Sequence, residues 1–215
     1  MRAALLLVAA CGGHGAHAPD ACTGNVVFLN RAGGMYDRGT TDDPTRNLST
    51  VVDGPRMIPA FPGDDATWNE ITACIRDGLA PFPIEVTDID PGTQPHVEIV
   101  FTTTFWAGPP GVTNILPATC RPGNQIEFVF GSAIPTTSRA CHVALMGFAE
   151  MTAQLSPVGD CHDFLNNSDD CSPTRSFLNS DLSCVGDANT PSQCRCGGTI
   201  ENTFQRLLAT FPACQ

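Results

Sequence analysis

Short continuous apolar runs and one-sided apolar stripes alternate along this chain, and their order sets the first expectation of its fold. Asn25–Asn30 reads N-V-V-F-L-N, a run without polar alternation that predicts a buried strand. Ile84–Asp88, Val97–Thr103 and Ile126–Phe130 predict three more, rich in β-branched and aromatic side chains. Trp68, Ile71, Ile75 and Leu79 fall on one helical face, with Asp64 or Asp65 placed to cap the start and Gly78 and Pro81 to end it. A longer helix is expected from Pro135–Ser138 to about Leu155, where Ser156-Pro157 stops it. A last amphipathic helix is expected over Ile200–Phe211.

Between these elements the pattern fails. Arg31–Asp64 is punctuated by glycine and proline and is expected to be irregular. Phe105–Pro122 is a second Gly/Pro stretch, expected as a loop with room for a further strand. Residues 158–198 hold five cysteines and few apolar side chains, so disulfides rather than packing are expected to order them. Asp88-Ile89-Asp90-Pro91-Gly92 reads as a turn, since two carboxylates do not make a calcium site. The predicted class is α+β, a single domain over 25–215 with a Cys-rich region at 158–198 and the C-terminal helix at 199–211.

Charge removes some functions. There are 22 Asp and Glu against 11 Arg and Lys, a formal charge of −11, which argues against nucleic acid and anionic lipid surfaces as partners. Eleven cysteines are an odd number. Cys11 ends the run Leu5-Leu6-Leu7-Val8-Ala9-Ala10 after Met1-Arg2, and that resembles a bacterial lipoprotein signal cleaved at an acylated cysteine. Setting Cys11 aside leaves an even set for disulfides, which persist in oxidising compartments. Residues 1–10 are thus read as a signal peptide and 11–24 as a tether, with His14 and His17 solvated within it. The expected location is the cell envelope, lipid-anchored or secreted, with membrane contact through the anchor alone.

The order strand, helix, strands, long helix, Cys-rich loop, helix matches the plan of the metzincin-type zinc metallopeptidases. The chain resembles a cysteine-rich bacterial branch of that family through Val26-Val27-Phe28-Leu29-Asn30-Arg31 with Gly33-Gly34, Trp68-Asn69, Ala73-Cys74-Ile75-Arg76-Asp77 and Pro95-His96-Val97-Glu98. Cys194-Arg195-Cys196-Gly197-Gly198-Thr199-Ile200-Glu201-Asn202 adds to it. The likeness implies a twisted mixed sheet, a first helix and a long helix bearing H-E-x-x-H. Two histidines four residues apart share a helix face and one zinc, and the intervening Glu activates the bound water. Here that helix reads Phe148-Ala149-Glu150-Met151-Thr152-Ala153, then Ser156 and Gly159. With Glu150 at the position of the family's catalytic Glu, Ala149, Ala153 and Gly159 occupy the three ligand positions. No methionine follows Met151, so the family's Met-turn is missing.

No catalytic group and no metal or other cofactor is therefore expected. A non-catalytic protein with a binding or scaffolding role, for a peptide or another protein, is the leading expectation. The alternative is an active peptidase holding zinc through Glu150 and His162 with Asp160 or Asp163. His142, about 12 Å before Glu150 along the helix, cannot share a metal with it. A third reading is a structural envelope lipoprotein. Local spacing suggests disulfides Cys120–Cys141, Cys161–Cys171 and Cys184–Cys196, with Cys194 as the other partner open to Cys184. Spacing does not fix connectivity.

Overall fold

The computed structural model describes residues 25–103, 114–116, 120, 125–131, 134, 136–168, 174–186 and 190–213. Residues 1–24, read above as signal peptide and tether with Cys11, His14, His17 and Cys22, lie outside them, as do Cys171 and Cys214. Strand β1 (Val26–Asn30) is an interior strand of the main sheet and wholly buried. The next segment, expected to be irregular, instead folds into a small second sheet. Strand β2 (Gly34–Arg38) pairs parallel with β3 (Leu48–Ser49) and antiparallel with β4 (Arg56–Ile58), and a 3-10 turn at Pro44–Arg46 lies between. Gly33 permits this. Its φ is +68°, and a Cβ there would lie 2.1 Å from the Ile58 carbonyl oxygen. The proline-rich composition hid strands only two to five residues long, too short for an alternating pattern to register.

Helix α1 (Asp65–Leu79) starts where Asp64 accepts a hydrogen bond from the Thr67 N–H, and it buries Trp68, Ile71, Ile75 and Leu79. Strands β5 (Glu85–Thr87), β6 (Val97–Thr102), β7 (Asn114–Ile115) and β8 (Ile126–Phe130) complete the main sheet. Its order is β5-β1-β6-β8-β7, parallel throughout except for the antiparallel edge strand β7. This β7 is the strand hidden in the second Gly/Pro stretch.

Strand side chains alternate between faces, and the two faces have different neighbours. Val27, Leu29, Val97, Ile99, Phe101 and Val129 join α1 and α2 (Thr137–Thr152) in the larger core. Val100, Ile126, Phe128 and Phe130 pack against Tyr36, Val52 and Ile58 of the second sheet and its flanks. The class is α+β, as the pattern predicts. Helix α2 stops three residues earlier than expected, because Gln154 takes a left-handed turn (φ 60°) and the chain reverses there. Ile200–Glu201 is not helical. It forms β10, paired antiparallel with β9 (Leu182–Ser183), and α3 runs over Thr203–Thr210 from an Asn202 cap.

The Cys-rich region contributes more packing than its composition suggests. Val158, Phe164, Leu165 and Phe177 are buried in the main core. Cys74 of α1 bonds Cys141 of α2, Cys120 bonds Cys196, and Cys184 bonds Cys194. The expected Cys120–Cys141 pair is therefore wrong, because Cys141 sits on the α2 face that packs against α1. Of the two partners left open to Cys184, the bond is to Cys194, and the Cys184–Cys196 pair is wrong. Hydrogen bonds from Gly186 N–H to the Thr190 carbonyl and from Ser192 N–H to the Cys184 carbonyl fold the chain back, placing Cys194 opposite Cys184. Cys161 is disulfide-bonded, and Cys171, its expected partner, lies outside the described residues. Such bonds belong to an oxidising, extracytoplasmic environment. Among the described residues no helix is long and apolar enough to cross a membrane.

Candidate functional site

The last turn of α2 carries the residues on which the chemistry turns. Ala149 is fully buried and Ala153 is 3% exposed, both within the apolar core. Gly159 lies beyond the helix, exposed, with its N–H donated to the Ser183 carbonyl (3.2 Å). Glu150 is 8% exposed, and its Oε2 accepts a hydrogen bond from Arg195 Nη2 at 2.7 Å. Burial raises the Glu150 pKa, while the Arg195 guanidinium opposes the rise and the Glu201 carboxylate adds to it.

Arg195 is held in place on every side. Its N–H donates to Ser156 Oγ (2.5 Å), and the Ser156 N–H donates to Glu201 Oε2 (2.7 Å). Its two chain neighbours, Cys194 and Cys196, are bonded to Cys184 and Cys120. A guanidinium thus sits on the α2 carboxylate, fixed by two covalent links and a backbone hydrogen bond. Sequence reasoning missed this residue. Its signal was the tripeptide Cys194-Arg195-Cys196, in which two bridging cysteines leave the middle side chain little freedom.

A second carboxylate faces the same helix. Glu127 points from β8 to the helix side, is wholly buried, and accepts from Asn114 Nδ2 of β7 (2.6 Å). Among the described residues its Oε2 has no hydrogen-bond partner. Burial drives its pKa well above the ordinary carboxylate range, and the charge on Glu150 pushes the same way. The carboxyl lies against Gly147, one turn before Glu150. A Cβ at Gly147 would fall 1.9 Å from Glu127 Oε1 and 2.4 Å from its carboxyl carbon. We predict that Gly147→Ala destabilises the protein by about 2 kcal/mol despite its better helix propensity, because overpacking outweighs the gain. Urea unfolding checks this, and an unchanged or raised midpoint refutes it.

The other sequence candidates do not gather at Glu150. His162 is exposed, its Nδ1 3.2 Å from Asp160 Oδ1. Asp163 is buried and both its oxygens are engaged: Oδ1 accepts from Leu165 N–H, Oδ2 from Leu178 N–H and from Thr203 Oγ1 (2.6 Å). Asp163 is a structural hub that ties the Cys-rich region to α3. His142 lies between Arg139 and Arg175. Its Nε2 donates to the Phe164 carbonyl (2.9 Å) and its Nδ1 accepts from Arg139 Nη1 (2.7 Å). Burial, with the two guanidinium groups, lowers its pKa to about 4. Among the described residues, the three side chains that bring metal-ligating atoms within 4.8 Å of one another are Cys184, Cys194 and Glu201. The two sulfurs there are bonded to each other and are not thiolates.

The opposite face of the sheet holds a further buried group. Glu98 of β6 is 2% exposed. Its Oε1 accepts from Tyr36 Oη (2.7 Å) and Asn30 Nδ2 (2.9 Å), and among the described residues its Oε2 has no partner. No protein-family model, no curated protein and no solved structure matches this chain.

Proposed function

We propose that this chain is a non-catalytic, metallopeptidase-like domain with a binding or scaffolding role for a peptide or protein. It acts outside the cytoplasm and is held to the membrane by an acylated Cys11. The observation that carries this reading is the Arg195 guanidinium on Glu150. A general base for metal-bound water needs its carboxylate free to face that water, and this one is neutralised by a side chain of the same protein. The burial of Ala149 and Ala153 supports the same reading, since the positions that would present imidazoles contribute methyl groups to the core. The rival set of Glu150, His162 and Asp160 or Asp163 is weakened by the commitment of both Asp163 oxygens.

The test is metal content and hydrolysis together. Protein purified from an oxidising host is expected to carry no stoichiometric zinc and to leave an unfolded protein substrate intact, with Glu150→Gln indistinguishable from the parent. One zinc per chain, with hydrolysis abolished in Glu150→Gln, would establish the enzyme instead. For the anchor, mass spectrometry of the mature N-terminus should find diacylglyceryl on Cys11, and a free Cys11 amine without that lipid excludes it.

A further inference from the structure

The two disulfides beside Arg195 differ in access. Cys194 is 3% exposed and its partner Cys184 is wholly buried. Cys196 is half-buried and its partner Cys120 is exposed. In the helix–helix bond, Cys141 is buried and Cys74 half-buried. Exchange requires a thiolate to approach one sulfur along the S–S axis, so access selects the bond that opens. Of the three disulfides with both cysteines described, only Cys120–Cys196 presents an exposed cysteine.

We propose that Cys120–Cys196 is a site of thiol–disulfide exchange with dithiol reductants, and that its opening withdraws Arg195 from Glu150. The reductant's thiolate attacks Cys120 Sγ and forms a mixed disulfide. The electron pair of the broken bond leaves on Cys196 Sγ, which takes a proton from solvent. The reductant's second thiolate then attacks its own sulfur in the mixed disulfide and releases Cys120, which is protonated in turn. The protein gains two electrons and two protons, and the reductant leaves as a disulfide.

The local backbone explains why this bond governs Arg195. Cys120 Sγ lies 3.7 Å from the Arg195 carbonyl oxygen as well as being bonded to the next residue. After Cys196 come Gly197 and Gly198, with φ of 101° and 83° and open space where side chains would stand. Once the bond to Cys120 opens, the disulfide anchor beside Arg195 is Cys194 alone, and what else holds it is the hydrogen bond to Ser156, the pair with Glu150 and a two-glycine turn closed by hydrogen bonds to Cys194. Glu150 is then left buried without the cation that meets it in the oxidised protein. The exchange site rests on exposure and connectivity and does not depend on the likeness to a peptidase.

The test uses the full oxidised protein, titrated with dithiothreitol under native conditions, alkylated and mapped by mass spectrometry. Cys120 and Cys196 are expected to be alkylated while Cys74, Cys141, Cys184 and Cys194 stay protected. The Arg195 amide, which donates to Ser156, should then exchange with deuterium about tenfold faster or more. The double variant Cys120→Ser/Cys196→Ser should show that faster exchange without reductant. Opening of Cys184–Cys194 first or at the same dithiol concentration overturns the proposal. So does undiminished Arg195 protection in either the reduced protein or the double variant.

Discussion

Replacing Cys74 and Cys141 together by alanine should lower the unfolding free energy by about 4 kcal/mol, the chain-entropy value for a bridge of this span. The bond links helices α1 and α2 across 67 residues of sequence, and it removes from the unfolded chain every arrangement in which those helices are far apart. The Cys184–Cys194 bond closes a separation of only 10, so its double alanine variant should lose less, about 3 kcal/mol. Denaturant midpoints at fixed pH give both numbers. A larger loss at Cys184–Cys194 than at Cys74–Cys141 would show that strain or native packing, not restriction of the unfolded chain, sets the contribution. For a domain whose stability lies in the usual range of about 5–15 kcal/mol, the helix–helix bond is a large share of the total.

That bond also shows where sequence reading stops. Local information was enough for α1, because the Asp64 cap and the Trp68, Ile71, Ile75, Leu79 stripe are both encoded within one segment. It was enough for β8, whose bounds match the apolar run Ile126–Phe130. It was not enough for the second sheet, whose two-to-five-residue strands are ordered by partners rather than by their own pattern. Nor could it pair Cys141, since the choice between Cys74 and Cys120 depends on which face of α2 meets α1.

The candidate site divides the same way. That Ala149 and Ala153 stand where the resemblance would put helical histidines is visible in the sequence once Glu150 is set at the motif's Glu. The cation that meets Glu150 comes from Arg195, 45 positions later, through a fold-dependent route of two disulfides. The buried acids left a fainter trace. Glu98 and Glu127 each interrupt an apolar strand run, V-E-I-V-F and I-E-F-V-F, where a charge has no place unless the fold gives it partners. Period-two alternation places them on opposite faces only when the register of β6 against β8 is known, with Glu98 opposite Ile126 and Ile99 opposite Glu127.

Those acids predict a protein that is more stable on the acid side of neutrality. Burial raises the Glu98 pKa from 4.5 to about 7; hydrogen bonds from Tyr36 and Asn30 oppose the rise, and the Asp90 carboxylate adds to it. A carboxyl whose pKa is raised by folding contributes stability that is complete below pH 4.5 and is lost as pH rises through about 7, a difference of about 3 kcal/mol. Glu127 acts in the same direction. His142 acts in the opposite one: its pKa falls from 6.5 to about 4, so its contribution is present above pH 6.5 and is lost as pH falls through 4. With Glu98, Glu127 and Glu150 raised against one depressed base, stability should peak below pH 6 and decline toward pH 8. Glu98→Gln isolates one such step, because a glutamine resembles the protonated acid in shape and cannot ionise. At pH 5 the variant should unfold within a degree or two of the parent. At pH 8 it should be the more stable, with a Tm advantage on the order of 8 °C for a domain of this size. Calorimetric scans of both proteins from pH 4 to 8 decide the matter, and parallel curves would mean that Glu98 ionises without cost, its unpartnered Oε2 being solvated in a way its burial does not allow.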